Sequence, residues 1–232
     1  MRAVLLALGC VLAGPLRAEE PKLPVLNLTY AVSWKGISLG DATVTLKPEG
    51  GPDCYHYSSL TEPIGLVRMF YGKPQETSDF CVSDGRVVPR RYAFSNPGNE
   101  GSAYTLEFDS KAGKVRDGKG GTRDIPANAQ DRLGIQQAMR LWVLAHLQAQ
   151  PGAETVDFSQ IDDTNIRTYR FAITGREDIR TPAGLYKTVL VQRIDNPDIT
   201  SKFWLAPEHD YMPVRFEQVR GGNVTRFVLR KP

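Results

Sequence analysis

Apolar and polar side chains alternate along most of this chain, and the alternation is cleanest near its two ends. At the N-terminal end Leu26, Leu28, Tyr30, Val32 and Trp34 interleave with Asn27, Thr29, Ala31, Ser33 and Lys35. Toward the C-terminus Phe203 and Leu205, then Met212, Val214 and Phe216, then Phe227 and Leu229 share one face. Arg215, Glu217 and Arg226 take the other. A period of two with β-branched and aromatic residues, cut by Gly, Pro, Asn and Asp, predicts antiparallel strands with one buried face. The same reading gives strands over 37–47, 53–60, 76–82, 86–95, 102–109, 153–161 and 165–174, and further strands from Arg176 onward. Gly40 marks a bulge or bend inside the second of them.

Two stretches break this rhythm. Residues 131–150 carry Leu133, Ile135, Met139, Leu141, Trp142, Val143, Leu144, Ala145 and Leu147, with Asp131 placed to cap and Pro151-Gly152 to stop. This predicts one long helix of about 30 Å. Its Leu141–Ala145 turn is apolar all round, more than the outside of a sheet requires, so the helix is expected on a concave side. Between Glu62 and Gly72, Ile64, Val67, Phe70 and Tyr71 recur at helical spacing. That excursion is either a lid or a helical turn packed on the end of a barrel. The Gly-rich run within 111–127 reads as a flexible turn, since no strand leads into it and no Walker pattern follows. An echo links Ser78-Asp79-Phe80-Cys81-Val82 and Pro89-Arg90-Arg91-Tyr92 to Ser201-Lys202-Phe203-Trp204-Leu205 and Pro213-Val214-Arg215-Phe216. Related meanders and the restricted composition of strands both explain it.

The fold class expected is therefore mainly β: one strongly curved antiparallel sheet or open barrel of about ten to twelve strands with one long helix against it. An apolar fraction of 41% suffices for a core.

The start of the chain sets the compartment. Met1-Arg2 is basic, Ala3–Ala13 is apolar, Gly14-Pro15 breaks the run, and Ala18 precedes Glu19. This is the layout of a cleaved secretory signal over residues 1–18, leaving 19–232 as a single barrel-like domain, with the periplasm as destination. A lipoprotein anchor at Cys10 is the minor rival. Removing Arg2 and Arg17 from the 29 basic side chains leaves 27 against 26 acids. A nearly neutral chain without a basic block argues against nucleic acid as partner. No later apolar run is long enough to span a bilayer. With Cys10 gone, Cys54 and Cys81 remain, and in an oxidising compartment they are expected to pair; two separately buried thiols are the alternative.

Catalytic groups are sparse. His56 and His146 read as structural, and His209 lies in the turn Pro207-Glu208-His209-Asp210, without a second His or Cys at ligand spacing. No Gly-x-Ser-x-Gly elbow is present. Asp157, Asp162 and Asp163 offer carboxylates for glycan hydrolysis, but Asp162-Asp163-Thr164-Asn165 is already explained as a turn. No metal or cofactor is expected. What remains is apolar surface: Leu66, Met69, Phe70 and Tyr71 in the excursion and Trp142 on the helix are the candidate ligand-binding residues. Trp34 and Trp204 fall where core packing would place them.

In order, Tyr30–Trp34 with Gly36-Ile37-Ser38-Leu39-Gly40, Gly65-Leu66-Val67-Arg68-Met69-Phe70-Tyr71, Pro89-Arg90-Arg91-Tyr92, Phe108-Asp109, the Asp131 helix start, Thr181-Pro182-Ala183-Gly184, Trp204-Leu205-Ala206-Pro207 and Met212-Pro213-Val214-Arg215 resemble the exported bacterial proteins of domain of unknown function 3108. Gly134 departs from the Ser expected there. The resemblance covers nearly all of the chain after the leader; it implies an envelope location and a mostly β fold, and supplies no catalytic residues. The function expected is a non-enzymatic periplasmic carrier or chaperone-like protein holding a lipid, acyl chain or envelope polymer. A carboxylate hydrolase of cell-wall glycan or ester bonds and an envelope scaffold are the alternatives.

Overall fold

The computed structural model describes residues 22–98, 100–147, 152 and 154–232, with the side chains of Phe70 and Tyr71 left aside. The leader 1–18, Cys10 and the end of the expected long helix lie outside these residues. Fifteen strands form one sheet. They are β1 (Leu26–Trp34), β2 (Ile37–Pro48), β3 (Cys54–Pro63), β4 (Gln75–Ser83), β5 (Arg86–Ser95), β6 (Tyr104–Asp109), β7 (Lys114–Asp117) and β8 (Thr122–Asp124) in the first half. The second half holds β9 (Ala129–Gln130), β10 (Thr155–Ile161), β11 (Ile166–Thr181), β12 (Gly184–Arg193), β13 (Ile199–Ala206), β14 (Met212–Arg220) and β15 (Asn223–Lys231). Two α-helices accompany them, α1 (Gly65–Tyr71) and α2 (Gly134–Ala145).

Each half is a meander, and the two are sewn together by β1 pairing antiparallel with β15, Val32 opposite Phe227. Every ladder is antiparallel except the short β9–β10 pair. Bulges bend the sheet where the register slips, at Val32/Ser33, Asp79/Phe80, Ile173/Gly175 and Trp204/Leu205. The ladder does not close. Its two edges are joined by side chains instead: Gln130 on β9 donates to the Val87 carbonyl on β5, and Arg123 on β8 donates to the Asp162 and Asp163 carbonyls.

Fifteen strands exceed the ten to twelve expected. The surplus is β7, β8 and β9, which arise in and just after the stretch read as a flexible turn. These pieces are two to four residues long, too short for a period to register in sequence, and pairing with an existing edge defines them. Residues 166–181 form one bulged strand rather than two. The long helix is also shorter than read. It starts at Gly134, three residues after Asp131, whose carboxylate accepts from the Leu133 and Gly134 amides at 2.9 and 2.6 Å. Asp131 therefore caps the turn that leads into the helix, a common exchange between a capping box and an extra turn.

α2 lies in the hollow of the sheet. Ile135, Gln137, Ala138, Met139, Arg140, Leu141 and Val143 are all buried, which accounts for a helix apolar on nearly every side. Trp142 is half-buried, its ring 5.6 Å from that of His146.

Cys54 and Cys81 are bonded, directly opposite one another at the base of the β3–β4 hairpin. α1 is the tip of that hairpin, seven ladder pairs away. The bridge thus ties the hairpin's foot and leaves the helix free of direct restraint.

Candidate functional site

One end of the rolled sheet is filled by α2; toward the other, the N-terminal turn of α2 and the inner faces of the strands enclose a pocket of about 380 Å³. Leu133, Ile135 and Gln136 make its floor. Its walls belong to strands from both halves of the chain.

One wall is aromatic. Phe203, Phe216 and Phe227 sit directly opposite one another on β13, β14 and β15, with ring centroids 4.6 and 5.8 Å apart, and Phe171 on β11 meets Phe203 edge-on at 6.0 Å. Cross-strand stacking of this kind is worth about 1 kcal/mol per pair beyond burial. The alternation in the sequence had placed Phe203, Phe216 and Phe227 on one face, and they do share it. Period two fails at one point on that face. The bulge at Trp204/Leu205 puts Pro213 rather than Val214 opposite Leu205, and Pro213 lines the pocket while its carbonyl accepts from Tyr30 Oη at 2.8 Å.

The facing wall is polar. Glu76 Oε1 accepts from Arg132 Nη2 at 3.1 Å, and Glu76 Oε2 from Tyr92 Oη at 2.6 Å. Burial and the neighbouring Glu76 carboxylate both push the Tyr92 hydroxyl up, so it stays protonated as a donor. For Arg132 burial opposes the charge, but Glu76, Tyr92, Tyr104 and Asp162 together outweigh it and the guanidinium is held firmly cationic. Arg193 is on the aromatic side, opposite Phe171 in the β11–β12 ladder; it lies 4.1 Å over the Tyr169 ring and pairs with Asp195 through two bonds of 2.8 and 2.6 Å. That hydrogen bonding raises Arg193 further. Gln160, Gln218, Ser59 and Ser201 complete the polar lining. Among the described residues Glu76 is the single acid on the pocket surface.

One turn along α2 from Gln136, Arg140 is fully buried. It donates to Gln137 Oε1 at 2.6 Å and to the Asp210 carbonyl at 2.8 Å. Burial pushes it down to about 10, still charged at neutral pH.

The residues singled out from sequence lie elsewhere. Leu66 and Met69 are 70% and 77% exposed on α1, and neither they nor Trp142 line the pocket. Phe70 and Tyr71 fall among the side chains not described. Of the histidines, His56 is bonded to Asp79 at 2.6 Å, His146 to the Trp142 carbonyl, and His209 packs on Tyr186. Asp157 is paired with Arg170. Among the described residues no three His, Cys, Asp or Glu side chains converge. Sequence reading missed Glu76, Arg132, Tyr169, Phe171 and Arg193. The one available signal was Glu76 on the face of β4 that also carries buried Ser78 and Phe80, a charge where an apolar side chain would be expected.

The family model for a protein of unknown function, DUF3108, matches residues 29–227. The chain belongs to the DUF3108 family. A solved β-barrel-like protein of domain of unknown function DUF1849 from Brucella abortus is similar in structure, with a TM-score of 0.55 at 12% identity, covering 88% of this chain and 94% of that one. That likeness shows a shared barrel-like fold. A protein of the DUF1089 family from Pseudomonas aeruginosa aligns with a TM-score of 0.41 at 11% identity, over 75% of this chain and 87% of that one. No curated protein matches the sequence. Among the described residues of this DUF3108 protein no helix is long and apolar enough to cross a membrane. The disulfide fits an exported protein, because such bonds persist in oxidising compartments.

Proposed function

We propose that this DUF3108 protein is a periplasmic carrier that holds an amphiphile, its acyl chain along the Phe203–Phe216–Phe227 row and its polar head against Arg132 and Glu76. The observation that carries this reading is the mixed lining of the pocket: the phenylalanine row on β11 and β13–β15 shares a space of about 380 Å³ with the Glu76–Arg132 ion pair from the other half of the chain. Such a volume is within the ordinary range for small-molecule sites. An amphiphile is the chemistry that satisfies both walls at once, since a purely apolar guest would bury Arg132 and Gln160 against hydrocarbon. Glu76 speaks for binding over hydrolysis. It faces no second carboxylate in the pocket, and both its oxygens are engaged by Arg132 and Tyr92.

Native mass spectrometry of protein purified from a periplasmic extract is expected to show a retained amphiphile. Thr225→Trp, which narrows the pocket, and Phe216→Asp, which puts a charge in its aromatic wall, are each expected to weaken binding of a fluorescent acyl probe by about tenfold or more. Trp142→Ala, away from the pocket, should bind like the parent. Unchanged probe binding in both pocket variants, with their folds intact by circular dichroism, would sink the carrier reading.

A further inference from the structure

The pocket lies toward the end of the sheet bearing the β1–β2 turn, α1, the β10–β11 turn, the β12–β13 loop and the β14–β15 turn. Exposed apolar side chains gather at this end. Trp34, Ile37, Ile64, Leu66 and Met69 are 38 to 77% exposed, and Ile166 and Ile194 follow on the far side of the rim. Among the described residues only Val25, Leu144 and Leu185 are large, apolar and exposed elsewhere.

The first five are neighbours although they come from separate elements. Trp34 is opposite Ile37 in the β1–β2 ladder, Gly40 is opposite Pro63 in the next, and the Ile64 amide donates to the Leu39 carbonyl at 3.0 Å. Cations accompany them. Lys35 sits 4.6 Å over the Trp34 ring, Arg68 is on α1, and Arg220 is at the adjoining β14–β15 turn. None of these three makes an ion pair among the described residues. Of the acids beside this arc, Glu62 is paired with Lys73 at 3.0 Å and Asp41, opposite it in the β2–β3 ladder, with Arg230 at 2.8 Å; Glu100 lies in the loop against the end of α1 and accepts from the Gly98 amide. Asp162 and Asp163 lie farther round the rim at the β10–β11 turn, whereas Asp198 precedes Ile199, the ladder partner of Arg220.

We propose that the arc formed by the β1–β2 turn and α1 docks on an anionic lipid bilayer. Trp34, Ile37, Ile64, Leu66 and Met69 enter the boundary between headgroups and acyl chains, and Lys35, Arg68 and Arg220 contact the lipid phosphates. Several apolar side chains at separate turns, interspersed with unpaired cations and a tryptophan, match the chemistry of a membrane interface. Lys35, Arg68 and Arg220, without ion-pair partners among the described residues, favour an anionic surface for this arc. The inference rests on the carrier reading in one respect: docking by the rim lets an amphiphile pass between bilayer and pocket without crossing water.

Flotation of purified protein with phosphatidylcholine vesicles, with and without phosphatidylglycerol, tests it. Binding is expected to the anionic vesicles and to weaken as salt is raised. The double variant Leu66→Asp, Met69→Asp should lose about tenfold or more in vesicle affinity, because each change removes an inserted side chain and adds repulsion. Leu185→Asp, at an exposed apolar position at the opposite end, should bind as the parent does. Absence of binding to either vesicle overturns the proposal, as does equal loss in the two variants. A parent dimer that the rim variant converts to monomer, without vesicle binding, also overturns it and identifies the arc as a self-association surface. Thr225→Trp separates the two readings: if it and the parent bind vesicles but neither retains an acyl probe, the docking surface stands and the carrier reading falls.

Discussion

Asp131 shows how one side chain couples the start of α2 to the sheet. It is fully buried, accepts from Ser78 Oγ at 2.7 Å and from the Leu133 and Gly134 amides. Burial pushes its carboxyl up to about 6 against the pull of these hydrogen bonds. The folded state therefore holds the proton more tightly than the unfolded chain. The stability this supplies is complete below about pH 4 and is lost as the pH rises through about 6, a change of about 3 kcal/mol. Asp131→Asn keeps an acceptor and cannot titrate, so its advantage over the parent should grow from pH 4 to pH 7 in denaturant titrations. Parallel curves for the two proteins across that window would show that Asp131 titrates normally. Asp131→Ala loses the cap and the titrating carboxyl together, so its cost should be largest below about pH 4 and shrink as the pH rises through about 6. Gly40 makes the opposite point. Its φ is +137°, and an added Cβ would lie 2.2 Å from the Glu62 carbonyl oxygen. Gly40→Ala should destabilise by more than about 2 kcal/mol, visible as a lower thermal midpoint.

At the scale of elements, the β3–β4 hairpin is where local pattern and long-range pairing meet. Its foot is the Cys54–Cys81 bridge, and its tip is α1. Loop-closure entropy for 26 enclosed residues gives the bridge about 3.5 kcal/mol. Reduction, or Cys54→Ala with Cys81→Ala, should lower the unfolding free energy by up to that amount. Acyl-probe binding should persist at temperatures where the reduced protein remains folded, because seven ladder pairs separate the bridge from α1 and neither cysteine lines the pocket. Loss of probe binding in a folded, reduced protein would mean that the bridge sets the shape of the pocket. The echo between Ser78–Tyr92 and Ser201–Phe216 is also an element-scale matter. Both hairpins carry a bulge next to a proline, but Pro89 faces Phe80 whereas Pro213 faces Leu205. The likeness in sequence is therefore offset by two positions in the ladder.

In the whole molecule, closure comes from the β1–β15 pairing and from side chains that bridge the sheet's edges. Arg123 and Gln130 do at the seam what a further ladder would do in a closed barrel. This leaves α2 enclosed at one end and a pocket toward the other, with Glu76 on β4 and Arg132 just before α2 on one side and the phenylalanines of β11, β13, β14 and β15, with Arg193 of β12 among them, on the other. The candidates drawn from sequence were the apolar residues of the excursion and the helix. The lining instead comes from strand faces that looked like ordinary core.

Alternation was enough to establish the longer strands and the shared face of Phe203, Phe216 and Phe227, helical spacing the burial of α2, and the expected export of a chain left with two cysteines the pairing of Cys54 with Cys81. Each of these depends on neighbours a few residues apart or on there being a single partner to choose. Bulges, very short edge strands and the roll of the sheet depend on contacts between distant segments, and no local period encodes them. Glu76 and Arg193 lie on strands from opposite halves of the chain and line one pocket because the sheet curls. Curvature determined which part of the buried face stayed hollow.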